Sequence, residues 1–215
     1  MRNYFKNLEL LSKNHVYSPE MEHDACGVGL IVSTEGKKSR SVVEYGIEAL
    51  KAVWHRGAVD ADGKTGDGAG IHLEIPKDFF IEKIQVTGHQ YDDAEICVGM
   101  IFLPRNDYSS QESSKTIVES ELTKNNFNIY GWRQVPVNTK VLGVKALQTM
   151  PEIIQVLFKS NDPNLIDKEL ERKIYETRKK IEKNIHKLSL NNFYICSMSS
   201  KSIIYKGMFL AEAIS

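Results

Sequence analysis

Apolar residues recur along this chain in two rhythms, one of about 3.6 residues and one of two. In "SVVEYGIEALKAVWH" the positions Val43, Ile47, Leu50 and Trp54 fall at i, i+4, i+7 and i+11. That spacing predicts a helix of about four turns with one buried face. "LIDKELERKIYETRKKIEKNIHKL" places Ile166, Leu170, Ile174, Ile181, Ile185 and Leu188 on one face and Lys, Arg and Glu on the rest. It predicts a long amphipathic helix whose charges pair at i, i+4 and face solvent. "SSKTIVESELTKN" predicts a third helix. The two-residue rhythm appears in "GIHLEIP", where Ile71, Leu73 and Ile75 alternate with His72 and Glu74 before Pro76 ends the run. "EICVGMIFLP" and "CGVGLIVS", from Cys26 to Ser33, are short apolar runs that predict buried strands, and "NIYGWRQVPV" predicts a further strand. "NFYICSMS" and "SIIYKGMF" predict two more, joined as a hairpin through Ser200-Lys201. Residues 1–25 are polar, interrupted by Ser18-Pro19, and predict a leader or extension outside the core. Hairpins and helices without regular strand–helix alternation indicate an α+β layered fold.

Composition narrows the function classes. The chain has 215 residues, 41% hydrophobic and 26% charged. That is enough for one domain with a substantial core. Lys plus Arg and Asp plus Glu are both 28, so the formal net charge is zero. A dedicated nucleic-acid or anionic-membrane surface needs a basic excess, so neither partner is expected. No apolar run approaches the ~20 residues that span a bilayer. The three cysteines, Cys26, Cys97 and Cys196, are far apart and form no Cys-x-x-Cys pair. A disulfide framework or a structural zinc site is not expected, and a reducing, cytoplasmic setting fits best.

The stretch "HRGAVDADGKTGDGAG" invites three readings as a ligand loop. A phosphate loop needs a glycine separated by four residues from Gly63-Lys64-Thr65, but that position is Ala58. Its predicted context is also inverted, since a helix precedes the loop and a strand follows it. A calcium loop fits Asp60 and Asp62 but then places the cation Lys64 where a third oxygen belongs. The Gly27 and Gly29 pair lacks the third glycine of a dinucleotide fingerprint, because position 32 is Val32. What remains is a backbone that turns tightly and approaches something closely, or a plain surface loop. Cys26 likewise reads, taken alone, either as a small buried residue or as a functional thiol.

The segments "DACGVGLIV", "ALKAVWHRGAVDADGKTGDGAG", "VGMIFLP", "YGWRQVPVNTKVLG" and "FYICSMSSKSIIYKGMF" occur in this order. Together they resemble the N-terminal class II glutamine amidotransferase domain of the glutamate synthase large subunit. The resemblance runs from about Met21 to the C-terminus. It implies part of a four-layer αββα N-terminal-nucleophile hydrolase sandwich. It divides the chain into a propeptide-like leader, residues 1–25, and the front portion of the amidotransferase domain, residues 26–215. Cys26 matches the nucleophile that removal of the propeptide would expose as the first residue. Arg56 is implied near it, ordering the site, though the same residue also suits the C-terminus of a helix. Thr65, Gly66, Asp67 and Gly68 are implied beside the nucleophile strand, with Asp67 holding backbone or touching substrate. Cys97 and Cys196 are expected in the core, Trp54 in the core, and Trp132 in the core or at an interface.

The implied substrate is glutamine and the implied partners are the remaining glutamate synthase domains or subunits. No cofactor is expected in this chain, because the family holds its FMN and iron–sulfur cluster in regions that do not match it. The family's Arg-Phe-Ser-Thr-Asn-Thr and His-Asn-Gly-Glu segments, its glutamine clamp and oxyanion hole, do not occur here. The 215 residues are therefore expected to be a fragment, inactive by itself. The alternatives are a non-enzymatic remnant or subunit that joins a partner completing the domain, and an unrelated thiol hydrolase. The latter needs a histidine partner, with His23, His55, His72 and His89 as equal candidates.

Overall fold

The structure, a computed structural model, describes residues 2–14, 18 and 26–214. In chain order it contains α1 (Arg2–Asn14), α2 (Arg40–Ala52), β1 (Ala69–Glu74), α3 (Lys77–Val86), β2 (Cys97–Leu103) and α4 (Tyr108–Lys124). These are followed by β3 (Phe127–Gln134), α5 (Val144–Thr149), β4 (Glu152–Ser160), α6 (Asp167–Lys187), β5 (Tyr194–Ser199) and β6 (Ser202–Gly207). One antiparallel sheet has the order β3-β4-β2-β5, and a second pairs β1 with β6.

β2 shows why the layers form. Alternate strand residues point to opposite faces, and both faces of β2 are apolar. Cys97, Ile101 and Leu103 enter one core with Leu122 of α4 and Ile174 and Ile181 of α6. Val98 and Met100 enter a second core with Phe80 and Ile84 of α3 and Ile203 of β6. α2 packs on the other side of β1, with Ile71 Cδ1 3.6 Å from where a Cβ on Gly46 would stand. The succession is therefore helices α4 and α6, the four-stranded sheet, the β1–β6 pair, then α2. This is the expected α+β, four-layer arrangement.

The α6 periodicity holds. Leu170, Ile174, Ile181 and Ile185 are buried, and Arg172–Glu176 and Arg178–Glu182 pair at i, i+4. Ile166 and Leu188 flank the helix and are exposed, because the buried stripe ends with its last full turn. Cys97 and Cys196 are buried as expected. Trp132 is half-buried beside the first core, and its Nε1 donates to Glu119 Oε1 at 2.6 Å.

Three expectations are corrected. Residues 26–33 form no strand, and Val28 and Leu30 are 89% and 84% exposed. An apolar run becomes a strand only where a neighbour completes its ladder, and among the described residues β1 and β6 pair only with each other. Trp54 is 64% exposed rather than in the core. α2 ends at Ala52, and a 3-10 turn over Trp54–Arg56 carries the indole off the helical face.

β5 and β6 do not form a hairpin with each other. β5 pairs with β2 and β6 with β1, so the chain crosses from one sheet to the other at Ser200-Lys201. Glu171 of α6 holds that crossing: its carboxylate accepts from Ser199 Oγ at 2.9 Å, Ser200 N at 2.6 Å and Ser200 Oγ at 2.8 Å.

β4 has no clean alternation, since Ile154, Val156, Leu157 and Phe158 are all buried around Gln155. Gln155 is buried between the sheets and is satisfied there by Arg133 Nη1 at 2.8 Å and Tyr205 Oη at 3.3 Å. Residues 1, 15–17, 19–25 and 215 lie outside the description, so the leader expectation falls partly outside it. In α1, residues 5–14 are exposed apart from the half-buried Leu8.

Truncating Ile174 to Ala is expected to lower unfolding free energy by about 2–5 kcal/mol. Val28→Ala is expected to change it by less than about 0.5 kcal/mol. Urea denaturation of the two variants checks this.

Candidate active site

The loop from Gly57 to Gly68 folds back on itself. Val59 bridges Gly66, the Asp60 N–H reaches Thr65 O at 2.9 Å, and the Asp67 N–H reaches Ala58 O at 3.1 Å. Gly63 turns the tip with φ +68°, a conformation that favours glycine. Asp62 closes the turn through one carboxylate. It accepts from Lys64 N at 2.9 Å, Thr65 N at 2.7 Å and Thr65 Oγ1 at 2.6 Å. The Thr65 hydroxyl, followed by the Thr65 and Lys64 amides, holds the Asp62 carboxyl well below the usual carboxylate range.

Thr65 and Gly66 are buried, while Asp67 and Gly68 emerge at the surface. They emerge into a cleft of about 1710 Å³ that runs along β1 and β6. Cys26, Gly27, Asp67 and Gly68 all line it. Cys26 is exposed, whereas Cys97 and Cys196 are buried. Desolvation pushes the Cys97 thiol well up, with Glu171 and Glu95 adding to it, and desolvation also raises Cys196. Both therefore stay protonated and unreactive. The one thiol open to a substrate, among the three, is the one in the cleft.

The structure thus places Cys26, Asp67 and Gly68 on the lining of one cleft, with the buried Thr65 and Gly66 preceding Asp67 in the chain. Asp67 Oδ1 lies 3.3 Å from where a Cβ on Gly57 would stand, so Asp67 packs against the His55-Arg56-Gly57 turn. Arg56 sits in that turn by its backbone, and its side chain lies outside the described residues. Of the histidine candidates, His72 lines the cleft. His89 Nδ1 instead meets Thr87 Oγ1 at 3.1 Å, and His55 is exposed in the 3-10 turn. His23 lies outside the described residues. Among the described residues no group of three His, Cys, Asp or Glu side chains gathers to hold a metal. No described helix is long and apolar enough to cross a membrane.

Sequence reasoning missed what braces this loop. Lys145 of α5 pairs with Asp60, and a Cβ on Gly143 would stand 2.2 Å from Thr65 Oγ1 and 2.3 Å from Asp62 Oδ2. On the opposite side a Cβ on Gly66 would meet Phe209 O at 2.7 Å. The Asp62-Gly63-Lys64-Thr65 turn carries a local signal, because Asp side chains cap their own turns. Gly143 and Lys145 carry none, as their partners are about eighty residues away in the chain.

A family model for "Glutamine amidotransferases class-II" matches residues 26–215, beginning at Cys26. The chain belongs to the class-II glutamine amidotransferases. This amidotransferase chain is 53% identical over 209 residues to "Glutamate synthase [NADPH] large chain" of Azospirillum brasilense. It is 40% identical to "Ferredoxin-dependent glutamate synthase" of Pyropia yezoensis and 39% identical to "Ferredoxin-dependent glutamate synthase 1, chloroplastic/mitochondrial" of Arabidopsis thaliana. The alignments cover 97%, 95% and 90% of this chain but only 14%, 13% and 12% of those proteins. The amidotransferase chain therefore spans about one-seventh or less of the length of these relatives.

Two measurements test the site. Iodoacetamide is expected to label the native chain once, at Cys26, with Cys97 and Cys196 reacting only after unfolding. Peptide mapping reads this directly, and labelling of either buried thiol in the native state contradicts the assignment. The Asp62 carboxyl is lowered on folding, so its contribution is complete above the unfolded value of about 3.9 and is lost as pH falls through the lower folded value. Stability of the native sequence is expected to fall more steeply than that of Asp62→Asn between about pH 4 and pH 2. Thermal melts across that range check the difference.

Proposed function

We propose that this chain supplies the nucleophile and one wall of a glutamine-hydrolysing site that releases ammonia for glutamate synthesis. The observation that carries the reading is the position of Cys26, an exposed thiol lining the same cleft as Asp67 and Gly68, at the first residue of the family match. Glutamine's amide is unreactive, and a thiolate is strong enough to attack it.

The reading requires cleavage before Cys26. An internal residue has an amide nitrogen, which is no base. A first residue has an α-amine with pKa of roughly 7.7–8.0, able to take the thiol proton. The sulfur then attacks the side-chain carbonyl carbon, the C–N bond breaks, and the amine returns its proton to the departing ammonia. Water hydrolyses the γ-glutamyl thioester to glutamate and restores the thiol. Asp67 holds the Gly57–Ala58 backbone against the cleft, and Arg56 orders the turn it occupies. The setting is cytoplasmic, and the partners are the other parts of a glutamate synthase.

A second reading, association with a partner that completes the sandwich, is favoured by the exposed Val28 and Leu30 and by the two-stranded β1–β6 sheet. The cleft also exceeds the ~300–1,000 Å³ usual for a small-molecule site, which suits a polypeptide wall that this chain does not supply.

Intact-mass measurement of the protein from its natural source is expected to show a chain beginning at Cys26. Retention of Met1 to Ala25 overturns the N-terminal-nucleophile mechanism. In a polypeptide that includes the glutamine-clamp and oxyanion segments, Cys26→Ala is expected to lower glutamine hydrolysis by a factor on the order of 10⁶. The His-Asn-Gly-Glu segment, whose donors would contribute about 2.7–4 kcal/mol each, does not occur in the 215 residues. They are expected to hydrolyse glutamine no faster than their Cys26→Ala variant, as an ammonia assay would show.

A further inference from the structure

α5 begins without a cap of its own. Its N-cap is Gly143, which has no side chain to accept from the first-turn amides. The carboxylate of Asp62 closes its own turn directly against that end, from a segment about eighty residues earlier, with Oδ2 lying 2.3 Å from where a Cβ on Gly143 would stand. One carboxylate thus closes the glycine loop and abuts the start of the helix. Thr65 Oγ1, which donates to Asp62 at 2.6 Å, also lies 3.5 Å from the Ala146 amide.

Lys145 adds a second link, an ion pair with Asp60 on the outer side of the same turn. The pair holds the Asp60 carboxyl below and the Lys145 ammonium above their ordinary ranges. Gly143 makes the junction close. Any Cβ there would also lie 2.5 Å from the Thr65 backbone nitrogen, which cannot swing aside as a side chain would. Behind the loop, Gly66 meets the Phe209–Leu210 backbone with equal intimacy. The Thr65–Gly66 segment is gripped from both sides, and the next two residues are Asp67 and Gly68 in the cleft wall.

We propose that Asp60, Asp62, Gly143 and Lys145 are positioning residues, which fix the Asp67–Gly68 wall of the cleft relative to Cys26 by clamping the glycine loop to the start of α5. None of the four need touch a substrate. The proposal rests on the Cys26 site described above for its meaning in catalysis, but its test uses no glutamine, so failure of one does not entail failure of the other.

The test uses the full 215-residue chain with Lys145→Ala, Lys145→Arg and Gly143→Ala. Lys145 is exposed, so its removal leaves the core intact. Hydrogen exchange followed by mass spectrometry reads the Asp60 and Asp67 amides, which are bonded within the loop. Their exchange is expected to quicken about tenfold in Lys145→Ala and at least as much in Gly143→Ala, with Lys145→Arg near the native rate. Amides of α6 should exchange unchanged in Lys145→Ala.

The second readout is the ratio of Cys26 alkylation rates by iodoacetate and iodoacetamide at low salt, where charge acts over roughly 30 Å. A fixed Asp67 carboxylate disfavours the anionic reagent. The ratio is expected to rise about twofold when the clamp is loosened and to return with Lys145→Arg. Unchanged loop exchange in both Lys145→Ala and Gly143→Ala overturns the clamp. Faster exchange with an unchanged alkylation ratio overturns its role in placing Asp67 relative to Cys26.

Discussion

The two sheets of this domain are tied together where the chain passes from β5 to β6 through Ser200 and Lys201, and one carboxylate governs that passage. Glu171 accepts three hydrogen bonds from the turn, two of them involving Ser200. Lys201 adds an ion pair to Asp167 at the start of the same helix. Buried turn amides left unpaired would destabilise the crossing by about 1–3 kcal/mol each. With them satisfied, β6 leaves the four-stranded sheet and lies antiparallel to β1. That pairing gives the cleft its floor, and it brings Phe209 and Leu210 up behind Gly66. A helix on the far side of one sheet therefore shapes a surface two layers away.

The polar groups between the sheets follow the same logic. Gln155 sits in an otherwise apolar layer and is bonded to Arg133 and Tyr205, one from each sheet. Arg133 also lies over the Phe79 ring at 5.1 Å. A second network at the edge of that layer joins Tyr130 to Asp92 at 2.8 Å, with Lys159 completing the carboxylate's partners. These contacts fix the relative shift of the layers, which apolar packing alone leaves freer to slide.

Elements with a single solvated face were legible in the sequence. α6 carries its period over five turns, and Ile71 and Leu73 mark β1 by alternation. β4 hid because both of its faces are buried, so Ile153 through Phe158 present apolar residues on both sides of Gln155 with no period. The β5–β6 crossing was misread because a two-residue link between strands has the same local signal whether the strands pair or part. The decision belongs to Glu171, which lies almost thirty residues earlier. The run after Cys26 misled for a different reason: its residue types suit a strand, but strand formation needs a second backbone. In the site, Cys26, Thr65, Gly66, Asp67 and Gly68 stood out because the contiguous motifs that hold them carry the family resemblance, and Cys26, Asp67 and Gly68 line one cleft. The bracing by Gly143 and Lys145 was not, since nothing in the local sequence encodes a contact across the fold.

The unequal burial of the three thiols has a chemical consequence of its own. Oxidation to sulfenic acid follows thiolate character and access, and Cys97 and Cys196 have neither. Peroxide damage should therefore concentrate on a single sulfur. The same asymmetry means that a disulfide formed without unfolding would link two molecules through Cys26 and would withdraw the cleft thiol from service.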